Sequence, residues 1–118
     1  MRVLITGAGG FVGLGLVQRL LQPDAWAGQP ITDITELLAM DLNPPPAQAG
    51  GLTNGAMTPA VRPLAGDLAD PALIAQAFAQ PVDVLFHLAS IPGGAAEQQP
   101  ALARRVNLEA TQALLDAA

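Results

Sequence analysis

Apolar residues follow two spacings along the chain, and the places where one gives way to the other mark its elements. Arg2 to Ile5 is a short β-type run that leads into Thr6-Gly7-Ala8-Gly9-Gly10-Phe11-Val12-Gly13. Beyond it, Phe11, Val12, Leu16, Val17, Leu20 and Leu21 recur at helical spacing, which predicts a helix with one buried face that stops near Pro23. A polar, proline-punctuated connection over residues 22–33 leads to a second strand, Glu36 to Met40, which ends on Asp41. Asn43 to Thr58 holds three consecutive prolines and several Gly, Ala and Asn residues, the composition of an irregular surface loop. The third strand, Val61 to Ala65, contains Pro63, which confines it to a sheet edge. Asp70 followed by Pro71 supplies a capping residue and an N1 proline for a short apolar helix through Phe78. Val82 to Leu88 is apolar at nearly every position, as a parallel strand covered by helices on both faces should be. The last segment, Pro100 to Ala118, predicts a packing helix through Leu102, Val106, Ala110, Ala113, Leu114 and Ala117, with Asn107 on or near its sheet-facing side.

Strands alternating with helices predict an α/β protein built on a doubly wound parallel sheet, with helices on both faces and strand order 3-2-1-4. The fourth strand is then an open edge that invites self-association.

The glycine stretch between the first strand and helix points to a dinucleotide. A diphosphate approaches backbone amides more closely than a β-carbon allows. Gly7 permits the tight turn, Gly10 brings the pyrophosphate to the main chain, and Gly13 lets the helix pack closely on the sheet. The helix N-terminus adds unpaired N–H groups and the positive end of its dipole, so an anion can be held without a lysine. The chain has none, which excludes the Gly-Lys-Ser/Thr phosphate loop of ATPases and GTPases. The spacing is G-x-x-G-x-x-G rather than G-x-G-x-x-G, and a plain tight turn in another α/β protein is the competing explanation.

Asp41, at the end of the second strand, stands where a carboxylate can accept both ribose hydroxyls, 28 residues past Gly13 rather than the usual ~20. The extra length is read as an insertion over Pro23 to Asp33; alternatively Asp41 only begins a turn. A 2′-phosphate would meet a like charge at Asp41, and no arginine lies within Leu42 to Gly55 to offset it, which favours NAD over NADP. Asp67, just past the third strand, is placed to accept from an adenine amino group, with a turn aspartate as an alternative of nearly equal weight. The loop after the fourth strand, through Leu88, Ala89 and Ser90, leaves the sheet where ligands bind in open α/β folds. His87, the sole histidine, invites a catalytic role, but its place at the end of an apolar strand favours a hydrogen-bonded structural one.

Composition narrows the partners. With 51% hydrophobic and 13% charged residues, the 118-residue chain is neither disordered nor a coiled coil and forms at most one domain. A net charge of −5 and scattered arginines leave no basic stripe for nucleic acid. Zero cysteines and one histidine give little support to a metal site. Glycines interrupt the N-terminal apolar stretch and no run is long enough to span a bilayer, so a cytoplasmic protein is expected.

Taken in order, Thr6 to Gly13, Asp41, Gly66-Asp67-Leu68, His87-Leu88-Ala89-Ser90 and Arg105-Val106-Asn107-Leu108-Glu109-Ala110-Thr111 resemble the extended short-chain dehydrogenase/reductase superfamily, the NAD-dependent epimerase/dehydratase family. Gly28-Gln29-Pro30-Ile31 and the Ile91 to Glu97 loop look most like sugar-acid dehydrogenases of the D-erythronate dehydrogenase type. The resemblance implies a Rossmann-type domain binding NAD. It assigns Gly7, Gly10, Phe11, Val12 and Gly13 to the diphosphate end, Asp41 to the ribose, Asp67 and Leu68 to adenine, and Leu88, Ala89 and Ser90 to the middle of the cofactor. Asn107 matches the family's helix asparagine, which supports the cofactor loop. The Pro92 to Glu97 loop would approach a sugar or sugar-acid substrate.

The family's proton transfer uses a Ser/Thr with a Tyr-x-x-x-Lys pair, and this chain contains no tyrosine and no lysine. Ser90 lies on the wrong loop to be the catalytic serine. The expectation is the N-terminal NAD-binding part of such an enzyme, with the catalytic and substrate-binding part absent, binding NAD weakly and not turning over by itself. The other readings are a non-catalytic NAD(P)-sensing module, a nucleotide-sugar epimerase/dehydratase parent, or a degenerate fragment with a structural role.

Overall fold

The computed structural model describes residues 1–22, 33–53 and 55–118. Its centre is a parallel sheet of β1 (Arg2–Thr6), β2 (Glu36–Asp41), β5 (Ala60–Ala65) and β6 (Val84–His87), in the order β5-β2-β1-β6. In chain order of the sheet strands this is the expected 3-2-1-4. β1 and β2 are in the middle, and residues 3–5 and 37–40 are at most 1% exposed. Both faces are covered, so these strands read as continuous apolar runs.

The side chains still alternate. Leu4, Leu38 and Met40 point to one face and join Leu73, Ile74, Ala77, Ala110 and Leu114 from α2 (Pro71–Ala77) and α5 (Ala110–Ala117). Val3, Ile5, Leu37 and Ala39 point to the other, against Val17 and Leu20 of α1 (Phe11–Leu20). Asp70 caps α2 as its sequence predicts, its carboxylate accepting from Ala72 N at 2.9 Å with Pro71 in the first turn.

Five expectations change. The 43–58 stretch is not irregular throughout: β3 (Gly51–Thr53) and β4 (Ala56–Thr58) pair antiparallel, and Gln48 forms a bridge with Val61 on the outer edge of β5. Asn54-Gly55 is a strong hairpin signal that the prolines before it obscure, and Gly55 has φ +80°. The fourth sheet strand is shorter than 82–88 and only half-buried along its length, because it lies at an edge with its outer side unpaired among the described residues. Phe11 and Val12 do not join the buried face of α1; they lie in its first turn at 98% and 65% exposure. The loop after Pro92 contains a short helix, α3 (Gly93–Gln98). The last helix is not uniform: α4 (Pro100–Ala103) passes through a π-helical segment (Arg104–Glu109) into α5. The wider turn shifts the inward stripe to Ala103, Ala110 and Leu114 and leaves Ala113 and Ala117 exposed. The connection read at 23–32, including Gly28 to Ile31, lies outside the described residues.

At the end of the sheet away from the glycine loop, Arg2 binds three segments together. Its Nε donates to Glu36 Oε2 at 2.6 Å, its Nη1 donates to the carbonyls of Gln80 and Pro81 at 2.9 and 3.0 Å, and its own N–H donates to Asp83 Oδ2 at 2.6 Å. The half-buried Arg2–Glu36 pair keeps these bonds partly shielded from water. Arg2→Ala is expected to lower stability by about 2 kcal/mol, seen as a lower urea midpoint with an unchanged slope.

Candidate cofactor cleft

The carboxyl ends of all four parallel strands converge on a cleft of about 340 Å³. β1 contributes Thr6, Gly7 and Gly10; β2 and its loop contribute Met40, Asp41 and Leu42; and the turn after β5 contributes Gly66, Asp67 and Leu68. The loop after β6 adds Leu88 to Ile91, and Leu102 and Val106 close the side. The cleft lies where strand order reverses between β1 and its two neighbours, the place where open α/β sheets bind ligands.

Its floor depends on close backbone crossings. Gly7 has φ +72°, and a β-carbon there would lie 2.8 Å from Ala89 N, so only glycine lets the first loop nest against the fourth. A β-carbon on Gly13 would overlap the carbonyl oxygen of Gly7, which is how α1 approaches the sheet. Gly10 is different. Its N–H turns back to Gly7 O at 3.1 Å, so it donates nothing outward, and its site is open apart from that carbonyl. Gly10 begins α1 in an extended conformation without a side-chain cap, so the first-turn amides of Phe11, Val12 and Gly13 have no partner within the helix. These N–H groups, rather than the Phe11 and Val12 side chains, are the loop's unused donors, of the kind that holds an anion at a helix N-terminus.

Gly9, absent from the residues singled out by spacing, holds the first two loops together. Its N–H donates to Asp41 Oδ2 at 3.1 Å, and a β-carbon on it would overlap the carbonyl oxygen of Asn43. Asp41 Oδ1 accepts from Asn43 N at 2.9 Å. Asp41 is therefore both the turn-forming aspartate and an oriented carboxylate facing the cleft, and its remaining lone pairs are free for hydroxyl donors. Asp67 likewise forms its own turn, Oδ1 accepting from Ala69 N at 2.8 Å, while Oδ2 lies 3.6 Å from Arg105 Nη2. Asn107 is outside the cleft lining. Its Oδ1 accepts from Ile91 N at 2.7 Å and its Nδ2 donates to Ile91 O at 2.9 Å, a two-point hold on the loop that carries Ser90.

His87 takes the hydrogen-bonded role expected of it, between Thr6 Oγ1 at 2.6 Å and Thr111 Oγ1 at 2.8 Å. Burial holds its pKa below the usual value. The unfolded chain therefore binds the proton more readily, and stability falls as pH drops below about 6.5, the loss being complete once pH passes the lowered folded value.

Comparison with known proteins agrees with this fold. A D-erythronate dehydrogenase of Cupriavidus necator is 41% identical over 118 residues, 98% of this chain and 34% of that protein. A nucleoside-diphosphate-sugar epimerase structure from Agrobacterium tumefaciens superposes with TM-score 0.72 at 31% identity, over 99% of this chain and 32% of that one. The dTDP-glucose 4,6-dehydratase DesIV of Streptomyces venezuelae, solved with NAD and TYD bound, gives TM-score 0.73 at 26% identity over 99% and 35%. The chain thus spans about a third of the length of these proteins. Residues 3–118 match the family described as the NAD dependent epimerase/dehydratase family, and the chain belongs to that family.

Proposed function

We propose that residues 1–118 form one partial Rossmann-type domain, the NAD-binding portion of an oxidoreductase or epimerase acting on a sugar or sugar acid in the cytoplasm. A dehydrogenase of the D-erythronate type is favoured by the 41% identity to that enzyme. The observation that carries the reading is the cradle of Gly7, Gly9 and Gly13 beside the oriented Asp41 carboxylate. Its glycines let the loops pack backbone to backbone and leave the first-turn amides of α1 without helical partners, and its acceptor faces the cleft one strand away. The first-turn amides of Phe11, Val12 and Gly13 hold the diphosphate, with Gly10 keeping the approach open. Asp41 accepts from the adenosine ribose, and Asp67 and Leu68 line the adenine. Leu88, Ala89 and Ser90 lie along the middle of the dinucleotide, with Asn107 fixing their loop through Ile91. NAD, when bound, supplies the hydride acceptor.

The chain's own residues bind and orient; without tyrosine or lysine, they do not include the family's proton-transfer pair. That same lack also fits a second reading, a non-catalytic NAD(P)-sensing module, ranked below the first. The unpaired side of β6, with half-buried Val84, Leu85 and Phe86, is the surface through which copies would associate.

Titration calorimetry with NAD and NADP, alongside a hydride-transfer assay on a panel of sugar acids, tests the proposal. The expected result is weak NAD binding, weaker NADP binding and no turnover. Absence of any dinucleotide binding would overturn the cofactor assignment, and measurable turnover would overturn the inactivity of the chain. Tight binding that discriminates poorly between NAD and NADP would favour the sensing module.

A further inference from the structure

Thr6 Oγ1 has three neighbours, and their chemistry leaves one arrangement of protons. Leu88 N and Ala89 N both lie 3.2 Å from it, and each can only donate; Leu88 N shares its hydrogen with the Thr6 carbonyl oxygen, also at 3.2 Å. A hydroxyl oxygen has two lone pairs, so both are used, and the Thr6 O–H must point to its third neighbour, His87 Nδ1, at 2.6 Å. Nδ1 is then an acceptor, which puts the ring proton on Nε2, donating to Thr111 Oγ1 at 2.8 Å. Thr111 completes the chain by donating to Asn107 O at 2.9 Å. Every member is satisfied, and the direction runs from the fourth-strand loop through β1 and β6 into the π-helical segment.

We propose that His87 is a positioning residue whose neutral Nε2–H form holds Leu88 and Ala89 against the glycine loop, and whose protonation releases them. An imidazolium carries a proton on both nitrogens. Its Nδ1–H would need a lone pair on Thr6 Oγ1, where both amides are seated, so the two can no longer share that oxygen with the ring: Leu88 N–H falls back on the Thr6 carbonyl oxygen and Ala89 N–H, which has Oγ1 as its one acceptor among the described residues, is pushed off its place. The loop has little freedom to absorb this, because Ala89 N lies where a β-carbon on Gly7 would meet it. Movement of Ala89 therefore alters the cleft wall directly. No charged group competes for the ring among the described residues of the elements packed on it. Arg2 and Asp83 are engaged at the opposite end of the sheet, Arg104 pairs with Glu109, Arg105 pairs with Asp67, and Asp116 lies at the far end of α5.

The consequence for dinucleotide affinity rests on the function proposed above; the consequence for the loop does not. The test is ¹⁵N NMR of the protein without ligand across the histidine titration, paired with calorimetric NAD titrations over the same pH range. The Nε2–H tautomer is expected above the ring's pKa. The Leu88 and Ala89 amide resonances should move with the ring titration, and NAD affinity should fall by up to about tenfold per pH unit below it. In His87→Asn, the side-chain oxygen keeps an acceptor near Nδ1 but does not titrate. Both pH curves should flatten, with the two amides near their high-pH positions. His87→Phe should displace them at every pH. An Nδ1–H tautomer, or amides that stay fixed while the ring titrates, would overturn the proposal, and both are read on the unaltered protein without reliance on a variant. If the amides respond as expected while NAD does not bind at any pH, His87 keeps its role and the cofactor reading fails.

Discussion

Gly9→Ala is expected to abolish measurable dinucleotide binding and to lower stability by about 3 kcal/mol. The added methyl would overlap the carbonyl oxygen of Asn43, a backbone atom that has no rotamer with which to move aside. The 41–43 turn must shift as a unit. That shift also stretches the bond from Gly9 N to Asp41 Oδ2, now 3.1 Å, leaving a donor and a carboxylate short of a partner. One methyl thus disturbs together the two ends of the cleft proposed for the diphosphate and the ribose. Gly15→Ala is the matched control. Nothing lies within 4 Å of a β-carbon at Gly15, which is exposed in the middle of α1, so the change should add about 0.5–1 kcal/mol through helix propensity and leave binding alone. Urea unfolding and calorimetry on both variants decide the matter. A Gly9→Ala protein that binds NAD like the parent would show that the first two loops need not cross closely.

Gly9 also shows where sequence reading stops. Gly7 and Gly13 are legible from spacing because each carries a local constraint, the positive-φ turn out of β1 and the contact of α1 with that same turn; the second constraint on Gly7, its approach to Ala89, is distant in sequence and was not legible. The crossing at Gly9 involves a partner 34 positions away, and no local pattern marks it. The sheet order and the strand-end position of Asp41 were legible for a similar reason, since continuous apolar runs and strand–helix alternation reflect the two buried faces directly. The β3–β4 hairpin was hidden by composition: three prolines at 44–46 argue for irregular chain, while the Asn-Gly pair that signals a hairpin in the sequence comes only eight positions later. The π-helical segment has no signature in residue type. Its effect is to move the inward stripe, so a uniform 3.6-residue period wrongly placed Ala113 and Ala117 in the core. Thr6 was read as part of a motif and not as a hydrogen-bond junction, because its partners at Leu88 and Ala89 meet it only once β6 has paired with β1.

Asp41→Ala is expected to weaken NAD binding about 30-fold, or ~2 kcal/mol, while reducing the preference over NADP. The carboxylate has two tasks. It orders the strand end by accepting from Gly9 and Asn43, and it presents its remaining lone pairs to the cleft. Alanine removes both, so affinity falls for every dinucleotide through loop disorder. The ribose bonds are lost for NAD alone, whereas NADP escapes the repulsion of its 2′-phosphate. Asp41→Asn separates the two tasks. Its amide oxygen can still accept from Asn43 N, but the NH₂ group would face the Gly9 N–H, donor against donor. Charge is gone while the turn is partly kept, so this variant should show the larger relative gain for NADP. Repulsion between exposed charges is screened by salt, and the parent's preference for NAD should therefore narrow as ionic strength rises, while that of Asp41→Asn should not. Equal affinities for NAD in the parent and both variants would remove Asp41 from the site. A preference insensitive to salt in the parent would mean that hydroxyl recognition, rather than charge, sets the discrimination.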